Sequence, residues 1–205
     1  AYDAVFGPAS SQEEVFEETQ PLVVSVLDGF NVCIFAYGQT GSGKTHTMQG
    51  SAERRGVNMR ALEELFRMAE ERKELGFTYE IQVSVLEIYN ETIRDLVEPK
   101  DEGGVEDKKL DVKLSPDGNG TCVPGLASVS VSSMAEVESV LKAGERNRSV
   151  GKTNMNEHSS RSHMILSVVT RSFNEATGAR AFGKMHLVDL AGSERLAKRK
   201  TAGGR

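Results

Sequence analysis

Gly38-Gln39-Thr40-Gly41-Ser42-Gly43-Lys44-Thr45 decides how this chain is read. It satisfies the pattern G-x-x-x-x-G-K-[ST] at every defined position. An apolar run, Asn31 to Tyr37, precedes it as a short strand buried in a sheet, and a helical pattern begins near Lys44. Glycines let the backbone wrap a phosphate chain with its N–H groups pointing inward. Lys44 is expected to reach the β- and γ-phosphates and Thr45 to bind Mg2+ through its hydroxyl, while the helix N-terminus adds positive potential. The alternative is a glycine-rich turn carrying a chance lysine, and the flanking strand and helix oppose it.

Outward from this loop, Val15, Phe16, Leu22, Val23, Val26 and Leu27 give residues 12 to 29 a helical spacing that ends at Gly29. A polar turn from Gly50 to Gly56 is followed by a second helical pattern through Leu62, Leu65, Phe66 and Ala69, stopping near Gly76. Tyr79 to Tyr89 alternates as a strand, with Ile81, Val83 and Val85 on one face. Residues 98 to 109 form an acidic loop. Short strands are expected at 110 to 114 and 121 to 131, a helix with a serine cap from Ser133 to Gly144, and strands at Met164 to Ser172 and Lys184 to Asp189. Strands alternating with helices predict an α/β fold, a mixed central sheet with helices on both faces.

The 205 residues suffice for a real core, and 25 Lys+Arg against 30 Asp+Glu give a net charge of −5. That balance speaks against a nucleic-acid binder. The longest apolar run is too short to cross a bilayer, and the start, Ala1-Tyr2-Asp3-Ala4, lacks a basic or apolar leader. Cys33 and Cys122 read as reduced, small apolar residues.

Two further stretches carry chemistry. Met185-His186-Leu187-Val188-Asp189 is an apolar strand ending in Asp, where nucleotide-binding sheets place a carboxylate for Mg2+. Gly192 follows, with a backbone N–H available for a γ-phosphate. His186 reads as a packed or hydrogen-bonded histidine. Asn156 to His163 (NEHSSRSH) is dense in hydroxyls and charge just before a strand, which suits a loop closing on phosphate; composition alone favours a solvated polar loop.

GQTGSGKTHTM (38 to 48), NEHSSRSH (156 to 163) and DLAGSE (189 to 194), in this order, resemble the kinesin motor domain. The likeness runs through YDAVFG (2 to 7) and LEIYNE (86 to 91), and residues 31 to 45 and 55 to 62 look most like the kinesin-14 group. The resemblance implies a P-loop NTPase of kinesin-like motor fold. It implies that Gly38, Gln39, Thr40, Gly41, Ser42, Gly43, Lys44 and Thr45 cradle ATP, that His46 packs near the adenine, and that Thr45, Ser160 and Asp189 serve Mg2+. Ser159, Ser160, Arg161, Gly192 and Glu194 are the expected catalytic set, with Arg161 and Glu194 forming a salt bridge that closes the site and organises the attacking water.

It further implies a microtubule motor of the cytoplasm and cytoskeleton, a homodimer through a coiled coil outside these residues, and partners other than nucleic acid or membrane. Residues 1 to 205 are expected to be a partial motor domain, truncated at both ends, lacking the first strand and the C-terminal microtubule-binding elements. The missing tubulin-facing part would account for the acidic balance. Lys198-Arg199-Lys200 is either a solvated run or the start of that face. Two other functions stay open: a regulatory GTPase, since DLAG also fits D-x-x-G, and a kinesin-like microtubule binder without turnover.

Overall fold

The computed structural model describes residues 2–98, 109–116, 118–150 and 160–194. Its elements are α1 (Gln12–Glu17), α2 (Gln20–Ser25), a 3-10 turn (Val26–Asp28), β1 (Asn31–Ala36), α3 (Lys44–Met48), α4 (Val57–Lys73), β2 (Phe77–Tyr89), β3 (Thr92–Asp95), β4 (Lys113–Leu114), β5 (Thr121–Cys122), β6 (Val129–Val131), α5 (Met134–Val150), β7 (Ser162–Asn174) and β8 (Arg180–Asp189).

The main sheet runs β1-β8-β7-β2-β3, with β6 also paired to β2. It is mixed, as the alternating pattern predicts. β1 and β8 are parallel, while β8–β7, β7–β2, β2–β3 and β2–β6 are antiparallel. Register brings Val83 to Val168 and Val85 to Leu166, then Leu166 to Leu187 and Val168 to Met185. This row of buried side chains is one face of the sheet. Met48 of α3, Leu62 and Leu65 of α4, Val137 of α5 and Val26 of the 3-10 turn complete the same core. Helices on the opposite face are not among the described residues. Among the described residues Cys33 and Phe35 of β1 are exposed there, while Val32, Ile34 and Ala36 are partly buried against the core. The odd and even residues of β1 see different surroundings because successive strand side chains point to opposite faces of the sheet, and the face of Val32, Ile34 and Ala36 meets the core.

The single helical stretch expected over 12 to 29 is three pieces. Ser11 and Glu14 cap α1 reciprocally, and Pro21 restarts the helix at the beginning of α2. The predicted stop holds: Gly29 takes φ +94° and closes the 3-10 turn. By contrast α5 runs straight past Gly144. A Cβ there would meet Val85 at 3.6 Å and Leu96 at 3.7 Å, ordinary contacts, so this glycine faces the sheet from inside the helix and ends nothing. Met48, Met164 and Met185 behave as core fillers, all buried.

Candidate functional site

The loop between β1 and α3 is shaped by its glycines. Gly41 and Gly43 take φ +80° and +95°, and Gly43 caps α3. Such angles disfavour residues with a Cβ, so the pattern of the motif is a backbone requirement. The Lys44 ammonium turns back over the loop and donates to the carbonyls of Gly38 and Gln39, each at 3.0 Å. His46 lies on the next turn, where the buried Gln12 amide of α1 donates to its carbonyl at 2.7 Å and meets Nδ1 at 3.3 Å.

Parallel pairing of β1 with β8 carries Asp189 to the level of Ala36, at the loop's entrance. Thr45 Oγ1 donates to Asp189 Oδ2 at 2.6 Å. Asp189 is only 7% exposed, and its Oδ1 is buried without a hydrogen-bond partner. A buried, unsatisfied carboxylate oxygen beside a hydroxyl suits a divalent cation. The donor set therefore fits the Mg2+ expected of Thr45 and Asp189. No cluster of three or more His, Cys, Asp or Glu side chains exists among the described residues to offer a different cation site.

Residues 189–194 act as a hub. Ser193 N–H donates to Gly38 O at 3.0 Å and Thr40 N–H to Glu194 Oε2 at 2.9 Å, with the Thr40 hydroxyl on Oε1. Chiefly through the Thr40 hydroxyl, these bonds hold the Glu194 carboxyl below its ordinary pKa, with the Lys44 charge adding to them. On the other side Gly192 N–H donates to Ser160 O at 2.8 Å and Ala191 N–H to His163 Nδ1 at 3.1 Å. A Cβ on Gly192 would displace the Glu194 carboxylate and the Thr40 hydroxyl from this arrangement.

The expected cluster thus assembles. Gly38 to His46, Asp189, Gly192 and Glu194 come together, with Ser160 joined through its carbonyl. Two expectations take another form. Glu194 is held by Thr40 rather than Arg161 among the described contacts, because Thr40 presents a backbone N–H and a hydroxyl to the same carboxylate. Gly192 N–H is engaged by Ser160 O. Ser159 and Lys198-Arg199-Lys200 lie outside the described residues, as does most of the acidic loop. His163 and Gln12 were given no role from sequence. His163 could have been suspected as the last residue of the polar motif, where it enters β7. His186 is hydrogen-bonded to Ser167 Oγ at 2.8 Å, as expected, and burial lowers its pKa, assisted by Lys184.

The Kinesin motor domain family profile matches residues 1–205. Among curated relatives, Kinesin-like protein KIN-14Q of Arabidopsis thaliana is 52% identical over 204 residues, covering 100% of this chain and 17% of that protein. KIN-14E of Oryza sativa subsp. japonica is likewise 52% identical, with 100% and 18% covered. Among solved structures, the motor domain of the Kar3-like kinesin from Ashbya gossypii superposes with a TM-score of 0.79 at 40% identity, covering 96% of this chain and 57% of the other. A fast kinesin gives 0.87 at 38% identity, covering 100% and 57%. The chain thus spans about half the length of these solved motor chains and less than a fifth of those two plant relatives.

Proposed function

The chain belongs to the kinesin motor domain family, and from that premise we propose that the complete protein hydrolyses ATP at this site and couples the cycle to binding and movement along microtubules. The observation that carries the reading is the Thr45–Asp189 pair, with its orphaned carboxylate oxygen, at the mouth of the glycine loop. In this reading the 205 residues are the nucleotide-binding portion of a larger motor domain.

The division of labour follows from the side chains. The backbone N–H groups of Gly41 to Thr45 orient the phosphates, and Lys44 exchanges two neutral carbonyls for phosphate oxygens, a charge-assisted and stronger contact. Thr45, Ser160 and Asp189 would hold Mg2+, which when bound would supply neutralisation of phosphate charge. Glu194 stays ionised and, released from Thr40, pairs with Arg161 to order the attacking water; Ser159 and Ser160 approach the γ-phosphate, with Gly192 N–H sensing it. His46 packs near the adenine. Catalysis is then positioning plus electrostatic stabilisation. Tubulin is the partner of the full-length protein, which forms a homodimer through a coiled coil, acts in the cytoplasm on the cytoskeleton and binds neither nucleic acid nor membrane.

Competition between ATP and GTP for a fluorescent ATP analogue on the complete protein tests the substrate. ATP should displace the probe at lower concentration, and Lys44→Ala should weaken binding by about a hundredfold or more. Preference for GTP, or unchanged binding by Lys44→Ala, would sink the reading.

A further inference from the structure

Arg148, in the last turn of α5, joins three elements through one guanidinium. Its Nε donates to Glu87 Oε1 of β2 at 2.9 Å, one terminal nitrogen donates to Ser162 Oγ at 3.0 Å, and the other contacts the Met164 sulfur at 3.7 Å. The pair is deep: the side chains of Arg148 and Glu87 are 13% and 2% exposed, and Ser162 is buried as well. Asn147 ties the same helix end to Leu96 O at 2.8 Å.

Stability alone accounts poorly for such a group. Well-packed apolar residues often replace a buried ion pair without loss of stability, so what the pair adds is geometric definition. Arginine adds it in a particular way, because its planar fork can serve two partners at fixed angles where lysine is a single point charge. One partner here is the first residue of β7. On either side of Ser162 lie the two groups that hold the 189–194 segment from the β7 side, opposite its contacts with Gly38 and Thr40: Ser160, whose carbonyl receives Gly192 N–H, and His163, whose Nδ1 receives Ala191 N–H. Glu87 also pairs in register with Met164, and Met164 with Asp189, so the guanidinium sits one strand from the carboxylate of the Thr45 pair. Any shift of the β7 end relative to β2 and α5 moves both attachments of that segment together.

We propose that Arg148 is a positioning residue for phosphoryl transfer: through Glu87 and Ser162 it fixes the start of β7, and thereby the placement of Ser160 and Gly192 at the site. The proposal rests on the ATPase reading above. It separates binding from turnover, since the glycine loop that holds phosphate touches none of the three residues.

The test uses the complete motor protein, with phosphate release, fluorescent-nucleotide affinity and thermal unfolding measured in parallel. The double variant Arg148→Met/Glu87→Gln removes both charges of this pair together. Its melting temperature should stay within roughly 5 °C of wild type. Its nucleotide affinity and KM should stay within about twofold, while kcat falls about tenfold or more, the scale expected when catalytic groups are misplaced. Ser162→Ala should lower kcat by about threefold at unchanged affinity, one modest hydrogen bond's effect. Arg148→Lys, which keeps the charge opposite Glu87, should fall between wild type and the double variant. Wild-type kcat in the double variant, or affinity and kcat falling together with stability, would overturn the proposal. Should the double variant fail to fold, wild-type kcat in both Ser162→Ala and Arg148→Lys overturns it, and reduced kcat at intact affinity in both supports it. A wild-type protein that binds but never hydrolyses ATP would instead overturn the ATPase reading, which keeps the two failures apart.

Discussion

At Asp189 one carboxylate oxygen is satisfied by Thr45 and the other is buried without a partner, so the residue is held ready for a cation at some cost to the free fold. Asp189→Asn is therefore expected to fold at least as well as wild type while losing the Mg2+ dependence of nucleotide affinity, read by titrating Mg2+ against a fluorescent nucleotide; an unchanged dependence would contradict the assignment. The placement of Lys44 and Thr45 in the loop was legible in the sequence because they belong to one short pattern. The Thr40–Glu194 contact was not, since it joins residues 154 positions apart through a pairing of β1 with β8 that no local spacing encodes. His186 gives a pH signature. Burial lowers its pKa below the model-peptide value of 6.5, so the unfolded chain takes up its proton first. Its contribution to stability is complete above about 6.5 and declines as pH falls through that value toward the folded-state pKa. Denaturant midpoints between pH 5 and 8 should show this loss, and it should be smaller in His186→Gln.

Among the elements, the β2–β3 hairpin carries visible strain. Asn90 and Glu91 form its turn at φ +47° and +60°. Asn tolerates that region, whereas Glu pays a Cβ penalty of about 1–2 kcal/mol, so Glu91→Gly should raise stability by about 0.5–1 kcal/mol after the extra freedom of the unfolded chain is counted. The junction of β8 with the 3-10 turn is the opposite case. A Cβ on Gly183 would strike the Val26 carbonyl, and Thr170 Oγ1 already donates to that oxygen at 3.1 Å. Gly183→Ala should cost about 1–3 kcal/mol by denaturant unfolding, the usual range for overpacking. Neither effect depends on nucleotide. Strand β2 and helix α4 were legible because their apolar periods are long. The four-residue β3 was missed, since TIRD shows no clear alternation, and the end of α5 was misplaced because a glycine that packs looks in sequence like a glycine that stops.

Over the whole molecule, one row of side chains through β2, β7 and β8 forms the core that seats α3, α4 and α5. The 189–194 segment crosses from the end of that row to the glycine loop. The fold class was readable from alternating strands and helices. The strand order was not, because the apolar run of β1 does not say which strand it pairs with. The resemblance to kinesins supplied what periodicity lacked: a reading of the three motifs together in their order. The central claim is that Glu194, now held by Thr40, is required for ATP hydrolysis but not for nucleotide capture. The direct measurement is microtubule-stimulated phosphate release by the complete protein carrying Glu194→Ala. Nucleotide should bind within a few-fold of wild type while release falls by about a hundredfold or more. Phosphate release at the wild-type rate would contradict the account.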